Sequence, residues 1–174
     1  MSDLHEECGI VAIYHFVKDE TSPLCPTQGQ DAATRLLPRM LLDLQNRGQL
    51  SAGVTTYNAN RGQLLKTYKD VGVVSEVFRM SHRDKYEKIM LDLSGRAAIG
   101  HVRYSSVGEG DYRCIHPFER RHFKRNKYFS FAFNGQLANC DALRESILKA
   151  KPDVHFSLDG DTEIFEYRLC AALK

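Results

Sequence analysis

The sequence has 174 residues, a formal net charge of +2 and 43% apolar side chains. That suits one domain with a real core, and the near-neutral balance points away from nucleic acid and from a membrane surface. No apolar run approaches the ~20 residues that span a bilayer, and Met1 to Glu7 is polar and acidic, unlike a secretory signal.

In chain order, Cys8 to Phe16 reads as a buried strand, because Ile10, Val11, Ile13 and Tyr14 are β-formers in a short apolar run. Asp19 to Gly29 contains two prolines and reads as a loop. Leu36, Leu37, Met40, Leu41 and Leu44 recur at helical spacing, which predicts a helix from Asp31 to Asn46. Pro38 either kinks that helix or starts its main part, and Gly48 sits where a helix stops. Ser51 to Tyr57 and Leu64 to Tyr68 read as strands joined by a turn near Asn60-Arg61-Gly62. Lys85 to Leu93 reads as a helix, Ala97 to Val102 and Tyr128 to Phe133 as strands, and Asp141 to Ala150 as a helix. Thr162 begins the last helix, with Asp161 placed to cap it. Strands come in pairs, with helices between groups rather than after every strand. That pattern favours α+β with antiparallel sheets over a doubly wound parallel fold.

The cysteines are Cys8, Cys25, Cys114, Cys140 and Cys170. An odd number without Cys-x-x-Cys pairing is neither a disulfide framework nor a zinc site. The reading is a reducing, cytoplasmic compartment, with a surface disulfide as the alternative. His5, His15, His82, His116, His122 and His155 show no metal-ligand spacing.

Cys8 carries the first chemical signal. A thiol is an effective acyl-transfer nucleophile only when it loses its proton, and no neighbouring histidine is visible in the local sequence. The α-amine of the same residue offers another base, because its pKa lies near ~7.7–8.0 and it is partly neutral at cell pH. That route requires cleavage between Glu7 and Cys8, since an amide nitrogen cannot accept the proton. Residues 1–7 are therefore expected to be a propeptide. Taken alone, Cys8 favours the plainer reading of a small buried core residue.

Further segments reverse that bland reading. They are Leu44-Gln45-Asn46-Arg47-Gly48-Gln49-Leu50-Ser51-Ala52-Gly53, Gly100-His101-Val102-Arg103-Tyr104-Ser105-Ser106-Val107-Gly108, Phe133-Asn134-Gly135-Gln136-Leu137-Ala138-Asn139 and Gly160-Asp161-Thr162-Glu163. Together with Cys8-Gly9-Ile10, in this order, they resemble the class II glutamine amidotransferases of the N-terminal nucleophile superfamily. Within it, the Gln-Leu-Ser-Ala-Gly run, Val71 to Phe78 and the His-Val-Arg-Tyr run resemble the amidophosphoribosyltransferase branch more than the glucosamine-6-phosphate synthase branch.

The resemblance implies a four-layer αββα sandwich of antiparallel sheets and a glutaminase reaction at Cys8. It gives Arg103 the α-carboxylate of glutamine, for which a planar guanidinium suits a bidentate pair, and Asp161 the α-ammonium. Asn134 and Gly135 become the oxyanion hole. Arg47 and Gly48 border the nucleophile, and Tyr104 and Ser106 line the glutamine pocket. Three of these have a plainer reading: a surface salt bridge for Arg103, a helix cap for Asp161, and for Asn134-Gly135 a hairpin turn, which could also present its donors to a site. His101 is expected to orient a loop. The ammonia is expected to reach a phosphoribosyl diphosphate site, giving phosphoribosylamine at the first step of purine synthesis. No cofactor is expected in this chain; Mg and phosphoribosyl diphosphate belong to a synthase domain or subunit absent from it. A homo-oligomer is compatible with this reading.

The sequence also departs from the family pattern. Asn46 stands for the usual His, Ser106 for Thr, His116 for Gln before Pro117-Phe118, Phe133 for His before Asn-Gly, and Gly160 for Ser before Asp-Thr-Glu. The family's glutaminase domain continues beyond the last helix, whereas this chain stops at Lys174 with no phosphate-binding loop. The expectation is a truncated piece, or a stand-alone or split subunit. Glu119 to Lys127 holds five Lys or Arg residues and reads as a solvated loop rather than a nucleic-acid patch. Two other functions remain open from sequence: a non-catalytic module that binds glutamine or a partner, and a hydrolase of another amide. The Arg103–Asp161 pair argues against the latter, because together the two charges select an amino-acid backbone.

Overall fold

The computed structural model describes residues 8–16, 29–104, 112–158 and 160–173. The 1–7 segment, most of the Asp19–Gly29 loop, and Ser106 lie outside the described residues. The chain divides into two compact units: the first comprises Met1–Glu119 and Ser130–Asn134, the second Arg120–Phe129 and Gly135–Lys174.

The first unit is built on an antiparallel sheet of β1 (Gly9–Tyr14), β2 (Ser51–Tyr57), β3 (Leu65–Val71) and β4 (Ala97–Arg103), in the order β1-β4-β2-β3. Opposed residues share a face. Val11, Ala52, Val54, Ala98 and Val102 face a layer of helices: α1 (Leu37–Asp43), α2 (Val74–Val77) and α3 (Arg83–Asp92). Leu37, Leu41, Val74, Val77, Phe78, Met90 and Leu93 complete this core. Leu41 and Phe78 are fully buried; truncating either to alanine costs about 3–5 kcal/mol, the usual range for such a cavity. The opposite face of the sheet carries Ser51, Gly53, Thr55, Thr67, Lys69 and His101. There Thr55 and Thr67 join hydroxyls at 2.8 Å, Ser130 donates to Thr55 at 3.0 Å, and Thr67 donates to Glu119 at 2.6 Å. Glu119 belongs to β5 (Phe118–Arg120) and Ser130 to β6 (Phe129–Phe131), which pair as a second, two-stranded sheet.

The second unit contains α4 (Cys140–Ala150) and α5 (Thr162–Ala172). The Glu163 carboxylate accepts the backbone N–H groups of Ser157 and Leu158 at 2.6 and 3.0 Å, and Arg120 pairs with Glu166 at 3.2 Å.

Several expectations need correction. The strand at Cys8–Phe16 is not buried on both sides, because β1 is an edge strand: its residues alternate, and Ile10 and Tyr14 are exposed. The helix predicted over 31–46 is three pieces, a 3-10 helix at Gln30–Leu36, then α1, then a 3-10 turn at Gln45–Arg47. Pro38 starts the α-helical part, in the first turn where its missing N–H costs nothing. β6 ends at Phe131, short of the predicted Phe133. The tract at Glu119–Lys127 opens inside β5 and includes a 3-10 turn at Arg125–Lys127. Asn134-Gly135 is not a hairpin turn; it lies between β6 and α4.

Candidate active site

The site forms at the end of the four-stranded sheet where β1 begins and β4 ends. Gly9 is opposite Val102, so Cys8 falls one step further out, beside Arg103. On the other side of β4, Ser51 is opposite Arg103. Arg103 thus lies between β1, which follows Cys8, and the loop that follows α1.

That loop carries Arg47 and Gly48. The 3-10 turn is closed by the Arg47 N–H on Leu44 O at 2.9 Å, and it directs the Arg47 guanidinium to Cys8, where Nε donates to the carbonyl oxygen at 3.1 Å. Gly48 ends the turn in an extended conformation (φ −164°) rather than a left-handed one. Glycine is needed for another reason: a Cβ here would lie 2.6–2.8 Å from the backbone C, O and N of Arg103. The chain then hydrogen-bonds to the same residue, with the Leu50 N–H on Arg103 O at 3.1 Å.

Asn134, the last residue of the first unit, reaches Cys8. Its Nδ2 donates to Cys8 O at 3.2 Å. Cys8 itself is a half-buried free thiol. The Arg103 guanidinium donates through Nη1 to the carbonyl oxygen of Cys114. Tyr104 follows β4 and is exposed.

On the same face of the sheet as Arg103, His101 packs on His116 with ring centroids 4.7 Å apart and planes tilted by 32°, and His116 meets Phe118 and Phe133 edge-on at 4.7 and 5.3 Å. Burial, and then the Arg103 charge, push the His101 pKa down to about 4. The Phe133 backbone lies near enough to pull the other way, without hydrogen-bond geometry to either ring nitrogen. Burial pushes His116 down to about 2, aided by His101, Arg103 and Lys69. Both imidazoles are therefore neutral at cell pH. His101 is buried and packs on His116, in the segment of chain that follows Cys114.

In the second unit, Gly135 has φ +146°, a conformation L side chains rarely adopt. Asp161 occupies the position before α5, but its side chain does not cap that helix. Its Oδ2 instead accepts the Leu137 N–H at 2.8 Å, tying the helix start to the segment that follows Asn134-Gly135.

Sequence reasoning singled out Cys8, Arg47, Gly48, Arg103 and Asn134, and the first unit brings these five together. It missed Lys69 and Cys114. Lys69 sits in an edge strand of mixed polar residues, Leu-Lys-Thr-Tyr-Lys-Asp-Val, where alternation alone does not say which face another layer covers.

No protein-family model matches the chain. It is 36% identical over 159 residues to amidophosphoribosyltransferase 1, chloroplastic, of Arabidopsis thaliana, covering 91% of this chain and 23% of that protein. It is 30% identical over 164 residues to the amidophosphoribosyltransferase of Bacillus subtilis, covering 94% of this chain and 29% of that one. Among solved structures it superposes on one titled as the allosteric regulatory enzyme of purine biosynthesis, with a TM-score of 0.67 and 25% identity over 92% of this chain and 28% of the other. It also superposes on a B. subtilis glutamine phosphoribosylpyrophosphate amidotransferase complexed with ADP and GMP, with a TM-score of 0.63 and 25% identity over 90% of this chain and 28% of the other.

Over about nine-tenths of its own length, then, this chain is similar to amidophosphoribosyltransferases, most like their glutaminase domain.

It spans about a quarter of the length of the amidophosphoribosyltransferases it matches. The antiparallel α+β architecture agrees with the N-terminal nucleophile fold of amidophosphoribosyltransferase. Among the described residues, no helix is long and apolar enough to cross a membrane, and no group of three or more His, Cys, Asp or Glu could hold a metal ion.

Proposed function

We propose that this domain hydrolyses glutamine to glutamate and ammonia, with Cys8 as nucleophile after removal of residues 1–7. The observation that carries the reading is the convergence of Arg47 and Asn134 on the carbonyl oxygen of Cys8, beside Arg103. Two side-chain donors fix the main chain of the residue that must supply both thiol and amine.

In the proposed reaction the Cys8 α-amine takes the thiol proton and the sulfur attacks the side-chain carbonyl carbon of glutamine. Oxyanion charge develops and is met by Asn134 and Gly135. An amide nitrogen carries two hydrogens, so Asn134 can hold Cys8 O with one and the oxyanion with the other. The C–N bond breaks, the α-amine returns the proton to the leaving nitrogen, and ammonia departs. Water, deprotonated by the same amine, then opens the thioester to give glutamate. Arg103 binds the α-carboxylate. The roles of Asp161 on the α-ammonium, Gly135 in the oxyanion hole and Tyr104 and Ser106 in the pocket rest on the sequence resemblance.

The ammonia is consumed at a phosphoribosyl diphosphate site elsewhere in the protein or in a partner subunit, yielding phosphoribosylamine. Mg and phosphoribosyl diphosphate belong to that second site. The four described cysteines are free thiols, which supports a reducing compartment such as the cytoplasm.

The experiment is glutamate release from glutamine by the processed protein, with Arg103→Lys alongside. The expected result is turnover in the parent and a rise in KM of roughly tenfold or more in the variant, the loss of a bidentate charged pair. Absence of glutamate release leaves a binding module; unchanged KM in Arg103→Lys refutes the carboxylate assignment.

A further inference from the structure

We propose that Lys69 is a positioning residue for the glutamine carboxylate, acting on Arg103 through the strap of chain that runs from Cys114 to Phe118. The inference rests on the carboxylate-binding reading of Arg103.

Residues 115–117 belong to no helix or strand, so their carbonyls need partners outside the ladder bonds of helix and sheet. Lys69 is such a partner. It stands opposite Gly53 in the β2–β3 register, on the face of the sheet that the strap crosses. Gly53 leaves a slot there: a Cβ at that position would run into the His116 carbonyl oxygen and come 2.7 Å from Lys69 Cβ. The strap therefore lies flush against the sheet, and the Lys69 stem passes beside it. Nζ donates to Ile115 O at 2.5 Å and to Pro117 O at 3.3 Å. It also sits 4.8 Å from the centre of the Phe118 ring and 5.5 Å from that of Tyr112, within the range of a cation–π contact.

The two carbonyls flank His116, whose ring packs, tilted, on His101. One residue earlier, Cys114 O accepts the Arg103 guanidinium. Lys69 thus fixes the segment that supplies an acceptor to Arg103, and a bidentate grip on a carboxylate depends on the plane of that guanidinium. Burial lowers the Lys69 pKa, while Cys114 and Glu119 act to keep it charged.

The test is Lys69→Met in the processed protein at its full natural length. This change keeps the stem and removes the donor. Kinetics are read with glutamine and with 4-aminobutanamide, which is glutamine without its α-carboxylate. KM for glutamine should rise about tenfold with kcat within about threefold, the scale of one charge-assisted hydrogen bond. The preference for glutamine over the analogue should fall by the same factor. Lys69→Gln, which keeps N–H donors at shorter reach, should lie between the two, and it decides the matter by the same ratio if the methionine variant does not fold. On an Arg103→Lys background, Lys69→Met should add nothing to the loss of preference. Equal losses for glutamine and the analogue, or full additivity with Arg103→Lys, would overturn the proposal. If Arg103→Lys alone leaves the preference intact, the assignment of Arg103 is what fails, and the two failures are told apart.

Discussion

The side-chain amide of Asn134 donates to the carbonyl oxygen of Cys8 at 3.2 Å, across 126 residues of chain. Under the proposed mechanism Asn134 then has two tasks: it donates to the oxyanion and, with Arg47, it holds the main chain of Cys8. Asn134→Ala removes both functions. Glutamate release should fall roughly a hundredfold or more in kcat, the usual cost of one oxyanion donor, with a much smaller change in KM. Stopped assays over a glutamine series check this, and an unchanged kcat counts against the assignment.

Gly48→Ala tests the packing behind Arg103. The added methyl carbon would stand 2.6–2.8 Å from three backbone atoms of Arg103, and backbone gives way poorly. The expected cost is about 1–3 kcal/mol of stability, as for other overpacked sites, together with a higher KM for glutamine because Arg103 must shift. Thermal unfolding and steady-state kinetics on the same sample read both. A variant with parental KM would separate Gly48 from carboxylate binding by Arg103.

Asp161 accepts the Leu137 N–H through one carboxylate oxygen. Asp161→Asn can keep that bond through its amide oxygen but loses the negative charge. Folding stability should stay close to that of the parent while KM for glutamine rises. Asp161→Ala should lose the hydrogen bond as well, with an additional stability cost of about 1–3 kcal/mol for an unsatisfied N–H. If the asparagine variant binds glutamine normally, Asp161 serves structure alone.

The buried pair His101 and His116 sets a pH dependence. Both pKa values are depressed, to about 4 and about 2 from an ordinary 6.5. Above the ordinary value both rings are neutral folded or unfolded, and stability does not vary on their account. Below it the unfolded chain takes up protons that the folded chain refuses, so stability falls as pH drops from 6.5 towards 4. Each ring contributes a slope of up to about 1.4 kcal/mol per pH unit. Urea unfolding of the parent and of His116→Phe at pH 7, 6 and 5 isolates one ring. The variant should show the shallower dependence, and equal slopes would mean that His116 titrates normally in the fold.

The sequence made the site more legible than its supports. Cys8, Arg47, Gly48, Arg103 and Asn134 stand out as motif residues, and they meet because β1 pairs with β4 and α1 delivers its loop to the same sheet end. β2 and β4 were readable because both are interior strands with β-forming, apolar-rich segments. β1 was misjudged as fully buried because Ile10 and Tyr14 are apolar yet lie on the exposed side of an edge strand. The break of the first helix at Pro38 was visible only as an alternative. Asp161 looked like a cap from its place before α5, but its carboxylate satisfies a backbone donor 24 residues away. Lys69 and the Cys114 carbonyl left no trace, since a main-chain acceptor has no side-chain signature and a lysine on an edge strand usually faces water.

The account turns on where the working polypeptide begins. Intact mass and N-terminal sequencing of the active protein, purified from its own cells, put that directly to the test. Removal of Met1 to Glu7, leaving a free amine on Cys8, is the predicted result. A protein that releases glutamate while still carrying an amide-blocked Cys8 would contradict the mechanism, because its nucleophile would then have no base of its own.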